Sequence, residues 1–278
     1  MKMKNRRAMG GMPILRQPRP RKTVLIGSKK IGSGPTRIIC VVGGKSALKD
    51  ALTAKRQGAD ILEARVDLWD NPGQAKTDLR ELRKMKILPI IATVRRVQEG
   101  GFWPENEEID RKNFLGEIID EELADCIDIE LNATKIRTAI LQLCKRNEIA
   151  TIVSYHDFVG TPSSSQLSKI IDRINRTGAD IIKVAVMANS REDVHQVIRL
   201  TEKYAKKLRP MVMISMGELG RPTRVMAGLF GSSMTYGYCS AQPMAPGQVP
   251  VTELKKALQM SPNNISGQVR FSDLAAVL

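Results

Sequence analysis

The chain contains TIVSYHDF at residues 151–158 and ADIIKVAVM at residues 179–187, two short apolar segments rich in β-branched residues. Such segments predict buried strands. Each carries one ionisable side chain, His156 in the first and Lys183 in the second. Because burial disfavours an ammonium, we expect Lys183 to be neutral part of the time or paired with an anion. A neutral lysine adds to ketones and a histidine moves protons near pH 7, so these strands predict a catalytic centre.

Strands and helices alternate on both sides of these two segments. Strands are predicted at 37–42, 60–66, 89–95, 126–131, 151–155, 180–186, 211–216 and 234–239, and helices at 46–57, 77–85, 107–122, 134–146, 165–176, 191–208, 223–230 and 251–259. Apolar strands separated by helices imply parallel pairing with right-handed crossovers. Eight such units over about 240 residues predict an α/β fold, a closed (β/α)8 TIM barrel.

The competing architecture is an open, doubly wound sheet, which usually has a glycine-rich turn after its first strand. Here the turn is Gly43-Gly44-Lys45-Ser46. It lacks the glycine spacing of dinucleotide-binding and phosphate-binding loops, so we interpret it as an ordinary strand-to-helix loop.

The N-terminus is strongly basic. Residues 1–22 carry eight lysines and arginines and no acidic residue, so they contribute +8 to the net charge of +15. A basic tail can bind phosphates loosely, but no aromatic residues are interleaved and no nucleic-acid motif is present, so nucleic-acid binding is the weaker interpretation. We predict a disordered basic extension at 1–21 and a single barrel domain at 22–278, which opens with a hairpin at 22–31. The conformation of 260–278 stays open.

Cysteine spacing and hydropathy favour a cytoplasmic protein. The four cysteines lie far apart, and none belongs to a C-x-x-C pair. This spacing argues against a zinc site and a disulfide framework and indicates a reducing compartment. The chain has no apolar run as long as a membrane span, and its N-terminus lacks the apolar core of a signal peptide.

Ionisable side chains recur at or near the carboxyl ends of six predicted strands, where barrel enzymes carry their active sites. They are Glu63 and Arg65, Arg95 with Glu99 beyond it, Asp128 and Glu130, His156, Lys183, and Arg224 after the seventh strand. Two structural alternatives stay open: Glu63 with Arg65 as an ion pair, and Asp128 with Glu130 as a charge balance for Lys183. We expect Arg96 and His195 to be solvated surface residues.

Several stretches resemble, in order and spacing, those of type I 3-dehydroquinate dehydratases. They are GADILEARVD, PIIATVRRVQEGG, CIDIEL, SYHDFVGTPS, ADIIKVAVM, SMGELGRPTR and APGQ, and the resemblance covers roughly residues 22–258. It implies a (β/α)8 barrel, usually a homodimer. It also implies conversion of 3-dehydroquinate to 3-dehydroshikimate in the shikimate pathway, without a metal or another cofactor.

The same resemblance implies residue roles. Lys183 matches the Schiff-base lysine, His156 the general base and acid, and Glu99 the group that orients the histidine. The residues that match substrate-binding positions are Glu63, Arg65, Arg95, Arg224 and the lid residue Gln248. The chain departs from the family at Met244, where a serine or threonine is common, and at the first strand, where Cys40 offers only a thiol.

Two alternatives from other classes remain. Another Schiff-base barrel lyase or aldolase would need a phosphate site in the last two loops, and those loops contain Arg221 and Arg224 but no glycine-rich nest. A nucleic-acid-binding role of the basic tail predicts that deleting the tail changes function.

Overall fold

Parallel strands curl into a barrel at the centre of the protein. The computed structural model describes residues 22–240 and 242–259. Its main strands are β3 (Arg37–Val42), β4 (Ile61–Arg65), β5 (Ile90–Thr93), β6 (Cys126–Glu130), β7 (Ala150–Asp157), β8 (Ile181–Met187), β9 (Met211–Met216) and β10 (Met234–Tyr238). They are preceded by an antiparallel hairpin of β1 (Val24–Ile26) and β2 (Lys29–Ile31), and a short β11 (Val249–Pro250) lies beside β10.

Eight helices cover the outside of the barrel within the described residues. They are α1 (Ala47–Gln57), α2 (Pro72–Met85), α3 (Glu108–Asp120), α4 (Arg137–Arg146), α5 (Ser164–Arg176), α6 (Arg191–Ala205), α7 (Thr223–Leu229) and α8 (Val251–Gln259). Among the helices of this part of the chain, none combines the length and the apolar character that a bilayer span requires.

The strand order closes the barrel. Strands β3 to β9 pair in parallel in chain order, and β10 pairs with β3 on the other edge. The two ends of the sheet meet where Ser233 N donates to Met211 O at 2.7 Å, just before β10 and at the start of β9. The predicted (β/α)8 barrel is confirmed, and so is the hairpin before it.

Most predicted elements lie within three residues of the observed ones, and α2 is the exception. It begins at Pro72, five residues before the predicted start. The Asn71 side chain accepts from Gln74 N at 2.8 Å, and Pro72 occupies the first turn. An asparagine cap followed by proline is a strong helix start, so the prediction of a start at Thr77 was wrong.

The hairpin closes the amino-terminal end of the barrel. Ile26 and Ile31 are fully buried and belong to one cluster with Ile39, Ile61 and Ile91 of the barrel interior. Each fully buried isoleucine stabilises the fold by about 1.5–3 kcal/mol. Because this end is filled with apolar side chains, polar chemistry is confined to the carboxyl ends of the strands. The predicted extension at 1–21 and the segment 260–278 lie outside the described residues.

Candidate active site

Lys183 lies in the middle of β8 and points into the barrel. Its Nζ is 2.8 Å from Asp128 Oδ2 and 3.0 Å from Glu63 Oε1, and it lies 4.2 Å from the centroid of the Tyr236 ring. Two carboxylates and an aromatic face therefore surround this nitrogen. The amine is therefore paired with both carboxylates in the free protein.

This pairing decides between two alternatives from the sequence. Glu63 accepts a hydrogen bond from Lys183. Arg65 forms a bidentate ion pair with Asp67, at 2.7 and 2.9 Å. An ion pair between Glu63 and Arg65 was therefore a wrong interpretation. Of the other alternative, Asp128 does balance Lys183, whereas Glu130 pairs with Arg95 and Arg111 instead.

Asp128 joins Lys183 to a second cation. Its Oδ1 accepts from Arg95 at 2.9 Å and from the Ser154 hydroxyl at 2.7 Å. Burial alone would raise the pKa of Asp128, but the positive charges of Arg95 and Lys183 hold that pKa below its ordinary value. Asp128 is therefore ionised at neutral pH and fixes both cations.

The charge network continues out of the barrel into α3. Glu130 lies 3.2 Å from Arg95 and accepts at 2.7 Å from Arg111, which is fully buried. Sequence reasoning missed Arg111. It shares a helix face with buried Phe114, Leu115 and Ile118, and an arginine on an apolar face is a readable signal of a buried ion pair.

His156 and Glu99 form a hydrogen-bonded pair at the carboxyl end of β7. Glu99 Oε2 accepts from the His156 backbone N at 2.9 Å and lies 3.1 Å from its Nδ1. Burial raises the pKa of Glu99 to about 7. Burial, together with nearby Arg95 and Lys183, lowers the pKa of His156 well below its usual value. His156 is therefore neutral near pH 7. When Glu99 accepts from Nδ1–H, Nε2 is left to take a proton.

His156 and Lys183 project from neighbouring strands towards the same space. In the register of β7 and β8, Lys183 pairs with Ser154, two residues before His156, so both side chains are on the inner face. They line one cavity of about 60 Å³. All eight predicted site residues line that cavity: Glu63, Arg65, Arg95, Glu99, His156, Lys183, Arg224 and Gln248.

Arg224 is held at the cavity wall by backbone carbonyls. Its guanidinium donates to Pro246 O at 3.1 Å and to Tyr236 O at 3.4 Å. Burial lowers its pKa to about 10, so the group stays positive at neutral pH. The other three buried arginines, Arg95, Arg96 and Arg111, have carboxylate partners, whereas Arg224 has none among the described residues. It is the buried cation most able to bind an incoming anion.

The loop before β11 covers the cavity. Gln248 Oε1 accepts from Met244 N at 2.8 Å, so Met244 meets the lid through its backbone while its side chain lines the cavity. Gly247 has a φ of +68°, and a Cβ there would lie 2.3 Å from Gly217 O. Only glycine fits this close approach between the lid and the loop after β9.

Two surface predictions had different outcomes. The His195 side chain is exposed, as predicted. Arg96 is buried, donating to Asn132 O at 2.9 Å and lying 3.9 Å from Glu108, so the prediction of a solvated side chain was wrong. A much larger groove of about 1200 Å³ runs between the hairpin, α4 and α5, and none of the predicted site residues lines it.

Comparisons with known proteins point to the same family as the sequence motifs. A family model described as type I 3-dehydroquinase matches residues 39–265. A 3-dehydroquinate dehydratase of Methanosarcina acetivorans is 37% identical over 218 residues, which are 77% of this chain and 90% of that relative. The enzyme of the same name from Methanococcoides burtonii is 40% identical over 216 residues, 77% of this chain and 89% of its own length.

Solved structures are similar over most of the chain. The 3-dehydroquinate dehydratase of Geobacillus kaustophilus has a TM-score of 0.81 at 30% identity, covering 87% of this chain and 96% of that one. A type I enzyme from Clostridium difficile, solved with covalently modified comenic acid, has a TM-score of 0.80 at 30% identity, covering 88% and 99%.

Proposed function

Since the chain belongs to the type I 3-dehydroquinase family, we propose that it dehydrates 3-dehydroquinate through a Schiff base on Lys183, with His156 moving the protons. The overall reaction of this hydro-lyase family is the loss of water from 3-dehydroquinate in the shikimate pathway. The proposal concerns the groups that perform it. The observation that carries it is the placement of a buried lysine and a neutral histidine on adjacent strands around one cavity.

In the first step, Lys183 passes one proton to a neighbouring carboxylate, and its neutral nitrogen bonds to the carbon of the substrate ketone. The carboxylate then returns the proton to the departing ketone oxygen. The ammonium and the ketone become an iminium and one water molecule, so the ketone oxygen leaves with two of the three ammonium protons. The charge of +1 is conserved. Glu63 and Asp128 hold the nitrogen in place before the reaction, and such positioning lowers the barrier.

In the second step, His156 takes a proton from the carbon next to the iminium. The C–H electron pair moves towards the positive nitrogen and gives an enamine. The imidazolium then protonates the departing hydroxyl, the C–O bond breaks, and water leaves. Hydrolysis of the conjugated iminium releases the product and restores Lys183. An ionised Glu99 stabilises the transient imidazolium.

Substrate binding uses the remaining residues of the cavity. We assign the substrate carboxylate to Arg224, the buried arginine without a carboxylate partner among the described residues. We assign the hydroxyl groups to Glu63, Arg65, Arg95 and the lid residue Gln248, which surround the same space.

Borohydride reduction tests the proposal, because it converts an imine into a stable adduct that mass spectrometry detects. Wild-type protein should gain one substrate-derived mass, and Lys183→Ala should gain none. Lys203→Ala, on the exposed face of α6, is the matched control and should behave as wild type. Retention of the adduct by Lys183→Ala would refute the Schiff-base assignment.

His156→Ala separates the two steps. It should still form the adduct but turn over at least about 100-fold more slowly, the usual scale of general acid–base catalysis. A nearly normal rate would assign the proton transfer to another group. The dehydratase reaction gives a conjugated product, which ultraviolet absorbance detects, and this distinguishes it from the reaction of an aldolase.

We also propose a homodimer, as the family resemblance implies, and a cytoplasmic location, which the cysteine spacing and hydropathy favour. Sedimentation equilibrium should give twice the chain mass. A mass of one chain would exclude the dimer, and recovery in a membrane or secreted fraction would exclude the location.

A further inference from the structure

Tyr236 has a buried hydroxyl that the proposed mechanism does not use. The residue lies on β10 and is 3% exposed, and its hydroxyl has no hydrogen-bond partner among the described residues. Leaving a buried hydroxyl unpaired is costly, so native proteins rarely do so without a reason. The Tyr236 ring also lines the active-site cavity and faces Lys183 Nζ at 4.2 Å.

The formation of an imine reduces the number of N–H donors on the Lys183 nitrogen. The ammonium of Lys183 has three N–H groups and bonds both Glu63 Oε1 and Asp128 Oδ2. An iminium nitrogen has a single N–H. One of the two carboxylates must therefore lose its lysine donor at the moment when the covalent bond forms.

Without the lysine donor, Glu63 keeps fewer hydrogen-bond donors than Asp128 does. Asp128 keeps the donors from Arg95 and Ser154 on its other oxygen. Among the described residues, Glu63 keeps only the Thr93 hydroxyl, at 3.0 Å on the same Oε1, beside the substrate hydroxyl assigned to it above. A buried carboxylate that loses an ammonium donor and keeps only neutral ones is less well stabilised.

We propose that Tyr236 is a positioning residue whose hydroxyl donates to Glu63 when Lys183 becomes an iminium. The inference rests on the proposed Schiff-base function. The Tyr236 ring and the Glu63 carboxylate contact the same lysine nitrogen, so they are close neighbours.

The charge environment keeps Tyr236 able to donate. Burial raises its pKa well above the usual value, and the negative charges of Glu63 and Asp128 raise it further. The phenol is therefore protonated throughout the working range of pH. It acts as a spare donor that is unused in the free enzyme and becomes paired in the covalent intermediate.

Tyr236→Phe tests this role, because it removes the hydroxyl and keeps the ring. We expect kcat to fall by about 10- to 150-fold, the range for a lost hydrogen bond to a charged group, with KM within about twofold of wild type. The fraction of enzyme trapped as adduct during turnover should fall. The melting temperature should be unchanged or higher, because the free enzyme loses only an unpaired hydroxyl.

Two further variants serve as controls. Tyr155→Phe removes a hydroxyl that faces Asp157 at 3.4 Å, away from the cavity, and should turn over as wild type. In a Glu63→Gln background, Tyr236→Phe should have less than about a twofold further effect, because a neutral amide no longer needs the extra donor.

Wild-type kcat and trapped fraction in Tyr236→Phe would overturn the inference while leaving the Schiff base intact. The inference would also be overturned if Tyr236→Phe lowered kcat by the same factor in the wild-type background and in the Glu63→Gln background. Absence of any adduct in the wild-type enzyme is a separate outcome, which would overturn the Schiff-base proposal and this inference with it.

Discussion

Glu99→Gln should change how the activity depends on pH. Glu99 accepts from the His156 backbone N at 2.9 Å and lies 3.1 Å from Nδ1, and a glutamine of the same shape can keep the backbone contact. The substitution removes the negative charge that, in the proposed mechanism, stabilises the His156 imidazolium. Because burial raises the pKa of Glu99 to about 7, that charge is itself lost in wild type as the pH falls through 7.

The magnitude follows from the fraction of Glu99 that is ionised. With a pKa of about 7, roughly nine-tenths of Glu99 is ionised at pH 8 and roughly one-tenth at pH 6, so wild-type kcat/KM should fall about tenfold between them. A hydrogen bond to a charged group is worth about 1.5–3 kcal/mol, which predicts a loss of roughly 10- to 150-fold for the variant at pH 8. At pH 6 this difference should shrink by about tenfold.

The assay measures kcat/KM from pH 5.5 to 9 by monitoring the formation of the conjugated product. The variant should show a flat profile near pH 7, because burial and the nearby cations lower the pKa of His156 well below that range. Glu107→Gln, on the exposed side of the same loop region, should keep the wild-type profile. The reasoning would be refuted if kcat/KM of Glu99→Gln still fell at acidic pH with the wild-type midpoint. It would also be refuted if the ratio of wild-type to variant kcat/KM did not vary with pH.

Three further outcomes are expected. Arg224→Lys should raise KM by about tenfold or more, since an ammonium cannot bind a carboxylate bidentately, and an unchanged KM, as expected for the control Arg221→Lys, would point to another clamp. Gly247→Ala should raise KM by disturbing the lid, because its Cβ would meet Gly217 O at 2.3 Å, and wild-type kinetics would show that the lid can shift without penalty. Deletion of residues 1–21 should leave kcat/KM within about twofold, whereas a large loss would contradict the predicted division of the chain.

The strand positions could be predicted because each strand is a short β-branched run between helical segments. RIICVV at 37–42 and MVMISM at 211–216 were predicted at their observed bounds. The start of α2 was missed because the run from Pro72 to Lys76 lacks apolar periodicity and its capping by Asn71 was overlooked. Local chemistry, rather than hydrophobic pattern, determines that boundary.

The positions of the site residues followed from the barrel itself. Parallel strands bring their carboxyl ends to one rim, so residues as far apart in sequence as Glu63 and Arg224 line one cavity. Their partners could not be predicted in the same way. Whether Glu63 meets Arg65 two residues away or Lys183 across the barrel depends on side-chain reach and strand tilt, which the spacing of residues along one strand does not contain.

The difference between Lys183 and Arg224 explains how the cavity can be both stable and reactive. Lys183 is a buried cation with two carboxylate partners, so its burial is compensated and its nitrogen is fixed. Arg224 is a buried cation bonded to backbone carbonyls, and burial lowers its pKa to about 10, a sign that its charge is incompletely stabilised. In the proposed function, a substrate carboxylate supplies the missing negative charge. On this proposal, binding energy comes from a cation that the free protein stabilises poorly, while the proposed nucleophile stays paired until the ketone arrives beside it.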